Sequence, residues 1–110
     1  MKTIGAIFLD RMQADVAVNH LRTNGFRDVW LGVAVYVEER TSFGDFNWLC
    51  FEGEGELVYA VLRAKGLDQA QIDAFAADLT EGSVVVTVPA KGKAAKAIAI
   101  FRDAGGDVRG

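Results

Sequence analysis

The chain has 110 residues, 51% of them hydrophobic and 25% charged, with a formal net charge of −3. That length and balance predict one globular domain with a core of its own and exclude a disordered chain. The acidic balance opposes attraction to phosphate backbones, and no apolar run approaches the roughly 18–20 residues that span a bilayer.

Cys50 is the single cysteine, so no internal disulfide can form, which suits a reducing compartment. The opening Met-Lys-Thr-Ile-Gly-Ala-Ile-Phe-Leu-Asp is too briefly apolar and too soon acidic for a secretory signal. A soluble, cytoplasmic protein is expected, without nucleic-acid or membrane partners.

Thr3–Leu9 is almost continuously apolar, as in a central strand covered on both faces. Asp10 offers a cap to a helix running to Asn24, with Gln13 placed to complete a capping-box-like pair. Ala14, Ala17, Val18 and Leu21 form the buried stripe, and Gly25 ends the helix. Met12 and Val16 point the other way.

Asp28–Val37 reads as a strand with two apolar faces, Val29, Leu31, Val33, Val35 and Val37 against Trp30, Ala34 and Tyr36. Glu38–Asp45 reads as a polar break with turn chemistry at Gly44-Asp45, and Phe46–Phe51 as a returning hairpin strand. Leu57–Lys65 is a short helix stopped by Gly66. Asp68 and Gln71 form a capping box for the next helix, whose stripe is Ile72, Phe75, Ala76 and Leu79 and whose stop is Gly82.

Val84–Val88 is a second near-continuous apolar strand, ended by Pro89. Ala90–Ala104 is a helix burying Ala94, Ala97, Ile98 and Phe101, and Gly105 stops it before a short edge strand at Asp107–Arg109. The two ends repeat each other at a shift of 80 residues: Ala14, Ala17, Arg22 and Gly25 fall on Ala94, Ala97, Arg102 and Gly105.

Two βαβ halves, 3–37 and 83–110, with their first strands side by side, predict an α+β ferredoxin-like domain. Its antiparallel sheet would carry helices on one face, and residues 38–82 would be an elaborated connection between the halves. That insert, or a second copy, would cover the open face.

Arg11–Phe26 resembles the opening helix of the heat-induced or general stress protein family of the YflT type. Gly66-Leu67 with its acidic helix, Gly82-Ser-Val-Val-Val-Thr-Val, and the alanine-rich helix ending Phe-Arg-Asp-Ala-Gly-Gly-Asp-Val are similar to that family's second half. The middle departs from it: Phe43-Gly-Asp-Phe-Asn-Trp and the glutamates stand where those proteins run glycine-rich. The resemblance covers about two-thirds of the chain, rests on structural residues, and carries no catalytic residue over. It implies a stress-associated role.

No catalytic motif stands out. His20 and Cys50 are unique, but one flanks a helix stripe and the other sits in an apolar run, where a thiol is inert. Glu52, Glu54 and Glu56 alternate, so an extended chain would aim all three one way; they match no dedicated metal loop and read as a solvated acidic loop. Lys91, Gly92 and Lys93 set cations against a helix N-terminus and are the candidate site for a small anion.

Trp30, Tyr36, Phe43, Phe46, Trp48 and Phe51 concentrate aromatics without interleaved basic residues, which points to core or interface rather than base stacking. Trp30, Tyr36 and Trp48 are the candidate interface residues. The sequence therefore predicts a stress-associated, non-catalytic interaction module that forms a homo-oligomer, the homodimer being the expected form, needing no cofactor or metal. The alternative is a sensor of small anionic metabolites, sharing its layout with ACT domains, and an enzyme comes third.

Overall fold

In the computed structural model, which describes residues 2–109, the order of elements is β1 (Thr3–Phe8), α1 (Arg11–Thr23), β2 (Trp30–Thr41), β3 (Gly44–Phe51), α2 (Val58–Ala64), α3 (Gln69–Ala76), β4 (Val84–Pro89), α4 (Ala94–Asp103) and β5 (Asp107–Arg109). The protein is α+β. Its five strands form one sheet in the order β3-β2-β4-β1-β5, and every neighbouring pair is antiparallel.

The two most apolar stretches are the two central strands. β1 and β4 pair along their whole length, from Thr3 opposite Pro89 to Phe8 opposite Val84. Alternation divides their side chains between two cores. Ile4, Ala6, Phe8, Val84, Val86 and Val88 face α1 and α4. Ile7 and Val85 face the other way, against Leu62, Ile72 and Phe75 of α2 and α3. Helices therefore cover both faces. The expectation of helices on one face holds for α1 and α4, and α2–α3 occupy the face left open, because their apolar stripes have no other surface to bury against.

The repeated helix ends are alike to the hydrogen bond. After α1, Gly25 N–H donates to the Arg22 carbonyl and Phe26 N–H to that of Leu21; after α4, Gly105 N–H donates to Arg102 and Gly106 N–H to Phe101. Both glycines have the left-handed backbone this motif needs, φ 86° and 90°. Asp10 caps α1 by accepting from Met12 N–H at 2.8 Å, without a reciprocal bond from Gln13. At α3 both halves of the capping box form between Asp68 and Gln71.

Three boundaries differ from the sequence reading by more than two residues. α3 ends at Ala76, not at Gly82; the turn that follows still carries Leu79 into the core, and Gly82 N–H donates instead to the Ala34 carbonyl beside β2. α4 begins at Ala94, because Lys91 (φ 48°) and Gly92 (φ 82°) form a left-handed turn after Pro89, and Ile100 joins Ala97 and Phe101 in its buried stripe. The third difference creates the most exposed part of the molecule: Glu38–Thr41 is strand, not a break.

Candidate functional site

β2 has twelve residues, yet β4 pairs with it only from Trp30 opposite Thr87 to Val33 opposite Val84. Beyond Ser83, β2 has, among the described residues, β3 alone for a neighbour, paired from Ala34–Phe51 out to Thr41–Gly44. Residues 36–41 with their partners thus project as a two-stranded arm about 20 Å long. The whole molecule measures 50 × 27 × 21 Å. At the tip Thr41 Oγ1 accepts from Phe43 N–H at 3.1 Å and donates to the Gly44 carbonyl at 2.9 Å, closing the turn.

Register gives the arm two different faces. Val35–Cys50, Val37–Trp48 and Glu39–Phe46 stand opposite one another on the side where Leu31 and Val33 meet α1 and α4. Among the described residues no helix covers that face further out. The Phe46 and Trp48 rings lie 6.2 Å apart, and Val37, Glu39, Trp48, Cys50, Gly55 and Leu57 line an open groove of about 310 Å³. The other face carries Glu38–Asn47 and Arg40–Asp45, a smaller polar hollow.

The three candidate interface residues do not share one surface. Trp48 faces the groove, while Tyr36 lies on the opposite face of the arm. Trp30 is partly buried against the core under α2 and α3, edge-on to Phe51 at 4.9 Å, with Lys65 Nζ 5.2 Å above its ring and its Nε1 donating to Glu54 at 3.3 Å. Phe46 and Leu57, which sequence reasoning did not single out as interface residues, flank Trp48 instead. Period-2 alternation within the expected strand Phe46–Phe51 already sets Phe46 on the same face as Trp48.

At the opposite end of the sheet, the exit from α1 meets the entry to α4. Gly25, Phe26 and Arg27 face Pro89, Ala90, Lys91 and Lys93 across a cleft of about 280 Å³. Lys93 is the N-cap of α4 and makes no side-chain cap; its Nζ lies 5.8 Å from the Phe26 ring centroid. Among the described residues no carboxylate comes within ion-pair distance of Arg27, Lys91 or Lys93. The candidate anion residues Lys91, Gly92 and Lys93 are thus together. Arg27 and Phe26 join them from 60-odd residues away, a proximity only the strand order reveals.

The remaining chemical candidates stay apart. His20 is exposed on α1, its carbonyl accepting from Asn24 Nδ2, while the Cys50 thiol is buried in β3. Gly53 (φ 82°) and Gly55 (φ 70°) turn the acidic loop, so Glu52, Glu54 and Glu56 do not line up as an extended chain would set them. No cluster of His, Cys, Asp and Glu fit for a metal occurs among the described residues, nor any helix long and apolar enough to cross a membrane. Compared with family models, curated proteins and solved structures, the chain matches none.

Proposed function

We propose that the protein is a non-catalytic interaction module that works through the β2–β3 arm and forms homo-oligomers by it. One observation carries this reading. Among the described residues, seven of the ten large apolar side chains left exposed lie between positions 36 and 59: Tyr36, Val37, Phe43, Phe46, Trp48, Leu57 and Tyr59. Four of them, Val37, Phe46, Trp48 and Leu57, stand together about the groove, a grouping uncommon on monomeric surfaces, and a two-stranded hairpin standing alone in water is marginal.

The scaffold reading belongs with it. β1 and β2 both run antiparallel to the β4 between them, and β4 and β5 both run antiparallel to β1. With α1 and α4 as the crossovers, we read β2-β4-β1-β5 as a ferredoxin-like unit to which β3, α2 and α3 have been added. A role in stress rests on the sequence resemblance alone.

Sedimentation velocity over a range of concentrations tests the module. Trp48→Ala is expected to lower the average mass of the associated protein while leaving its circular dichroism unchanged. A mass that responds neither to this change nor to Phe43→Ser at the arm tip, at any concentration, would sink the arm as an interface.

A second reading, a sensor of small anionic metabolites, draws its support from the arrival of Arg27 beside Lys91 and Lys93. A thermal scan against phosphorylated metabolites tests it. A ligand at about 100 times its dissociation constant stabilises by about 2.7 kcal/mol, and Lys93→Glu should abolish that shift. A shift indifferent to Lys93→Glu would place the ligand elsewhere.

A further inference from the structure

The arm and the basic cleft lie at opposite ends of β4, beyond Val84 and beside Pro89 respectively. Building on the reading of the arm as an interaction surface, we infer that the arm tip of one copy docks into the basic cleft of the next, giving a head-to-tail assembly.

Charge selects this occupant over an arm-to-arm dimer. The arm and the loop after it carry Glu38, Glu39, Asp45, Glu52, Glu54 and Glu56 against Arg40 alone. Two such arms laid together would crowd like charges around the groove, with Glu39 on its rim in each copy. The cleft offers the opposite: Arg27, Lys91 and Lys93, none ion-paired among the described residues, with Lys2 brought to the same end by the bond from Ala90 N–H to its carbonyl. Opposite patches on two copies attract and orient one another before contact.

Shape agrees with charge. Phe43 at the arm tip is 93% exposed, and the two bonds of Thr41 hold its backbone in place, so little ordering remains to be done on docking. The cleft volume of about 280 Å³ exceeds the roughly 150 Å³ that admits a benzene ring. Pro89 is partly exposed on its wall and Lys93 stands at its rim, so an incoming aromatic side chain meets both an apolar surface and a cation. Glu39 and Asp45 flank the tip on its two faces, so an inserted tip brings one carboxylate to each side of the cleft. Because the two patches differ and lie at opposite ends, the contact does not close on itself as a two-fold dimer does; it leads from copy to copy, into a ring or an open chain.

The test mixes two surface variants, each checked for folding by circular dichroism. Phe43→Ser removes the tip and keeps the cleft; the double change Lys91→Glu with Lys93→Glu reverses the cleft and keeps the tip. Wild-type mass in sedimentation velocity should climb with concentration past the dimer and fall with added salt. Each variant alone should be a monomer. An equal mixture should form a one-to-one heterodimer and nothing larger, because only one productive contact remains. A cleft variant that associates like wild type, a mixture that stays monomeric, or a wild type that never associates overturns the head-to-tail contact. Trp48→Ala separates this failure from that of the arm itself. If it alone weakens association, the arm still binds, but not to the cleft; if none of the variants differs from wild type, both readings fall.

Discussion

Gln71 Nε2 donates to the main-chain carbonyl of Thr3 at 2.9 Å, across 68 residues of chain, while Gln71 Oε1 accepts from Asp68 N–H at 3.0 Å. One buried amide therefore both starts α3 and fastens it to β1. Gln71→Ala leaves a buried carbonyl and a helix-start N–H without partners, and should cost about 1–3 kcal/mol in urea unfolding. Gln69→Ala, on the exposed side of the same turn, should stay within about 0.5 kcal/mol of wild type. Equal effects from the two changes would show that the long-range bond contributes nothing.

Gly66 and Gly53 both sit in left-handed backbone, with φ 99° and 82°, but in different surroundings. A methyl group at Gly53 meets nothing within 4 Å, whereas one at Gly66 would stand 2.6 Å from Thr3 Oγ1, which donates to the Lys65 carbonyl at 3.0 Å. Gly53→Ala should therefore cost only the conformational penalty of about 1–2 kcal/mol. Gly66→Ala should cost clearly more, since it also dislodges Thr3. Thermal or chemical unfolding of the pair checks the ranking, and a reversed order would refute this account of the β1–α2 junction.

These two sites show what could be read before the fold was known. Helix ends were legible at Gly25, Gly66 and Gly105 because each local motif needs a left-handed residue there, and the Asp68–Gln71 box because both partners sit within one turn. The bond from Gln71 to Thr3 was not legible, since nothing local records which carbonyl lies beyond β5. Gly82 misled because its left-handed backbone serves a turn beside β2 and not a helix end. The arm was missed at Glu38–Thr41 because charged residues are poor strand formers on their own. Pairing with β3 overrides that preference, and solvent on both faces removes the apolar alternation that would have marked a strand. The basic cleft was half legible: its lysines are adjacent in sequence, but Arg27 arrives only through the strand order.

Arg109 in β5 pairs with Asp78 after α3 and, at 2.6 Å, with Asp107, and it donates to the Ala74 carbonyl at 3.4 Å. The hydrogen bond to Asp107 raises its pKa above the ordinary arginine value, helped by Asp78 and the field of both carboxylates and opposed by desolvation. A raised basic pKa stabilises fully below the ordinary value and is lost only as pH climbs through the higher one. Arginine titration therefore contributes no pH dependence near neutrality. All three side chains keep substantial exposure, so Arg109→Ala should cost only about 0.2–1 kcal/mol. The cost should shrink in high salt, and a loss insensitive to salt would assign it to the Ala74 bond instead.

Ala34 N–H donates to the Ser83 carbonyl at 2.8 Å and Tyr36 N–H to Glu81 Oε2 at 3.0 Å, so the even-numbered amides of β2 face away from β3. Past Tyr36 no strand of the described residues lies on that side, which leaves the amides of Glu38 and Arg40 on an open edge, while Val37 and Glu39 face Trp48 and Phe46 across the ladder. Hydrogen exchange on the dilute protein should therefore alternate, fast at Glu38 and Arg40 and slower at Val37 and Glu39. Glu81→Ala should release Tyr36 to the fast group. The same measurement at high concentration distinguishes two ways of using the arm. Docking by the tip leaves Glu38 and Arg40 fast, because side chains make the contact. A partner added along the open edge would take up those N–H groups as ladder bonds, and their protection would rise to that of Val37 and Glu39. Such a rise, growing with concentration, would replace tip docking with strand addition as the way this arm assembles.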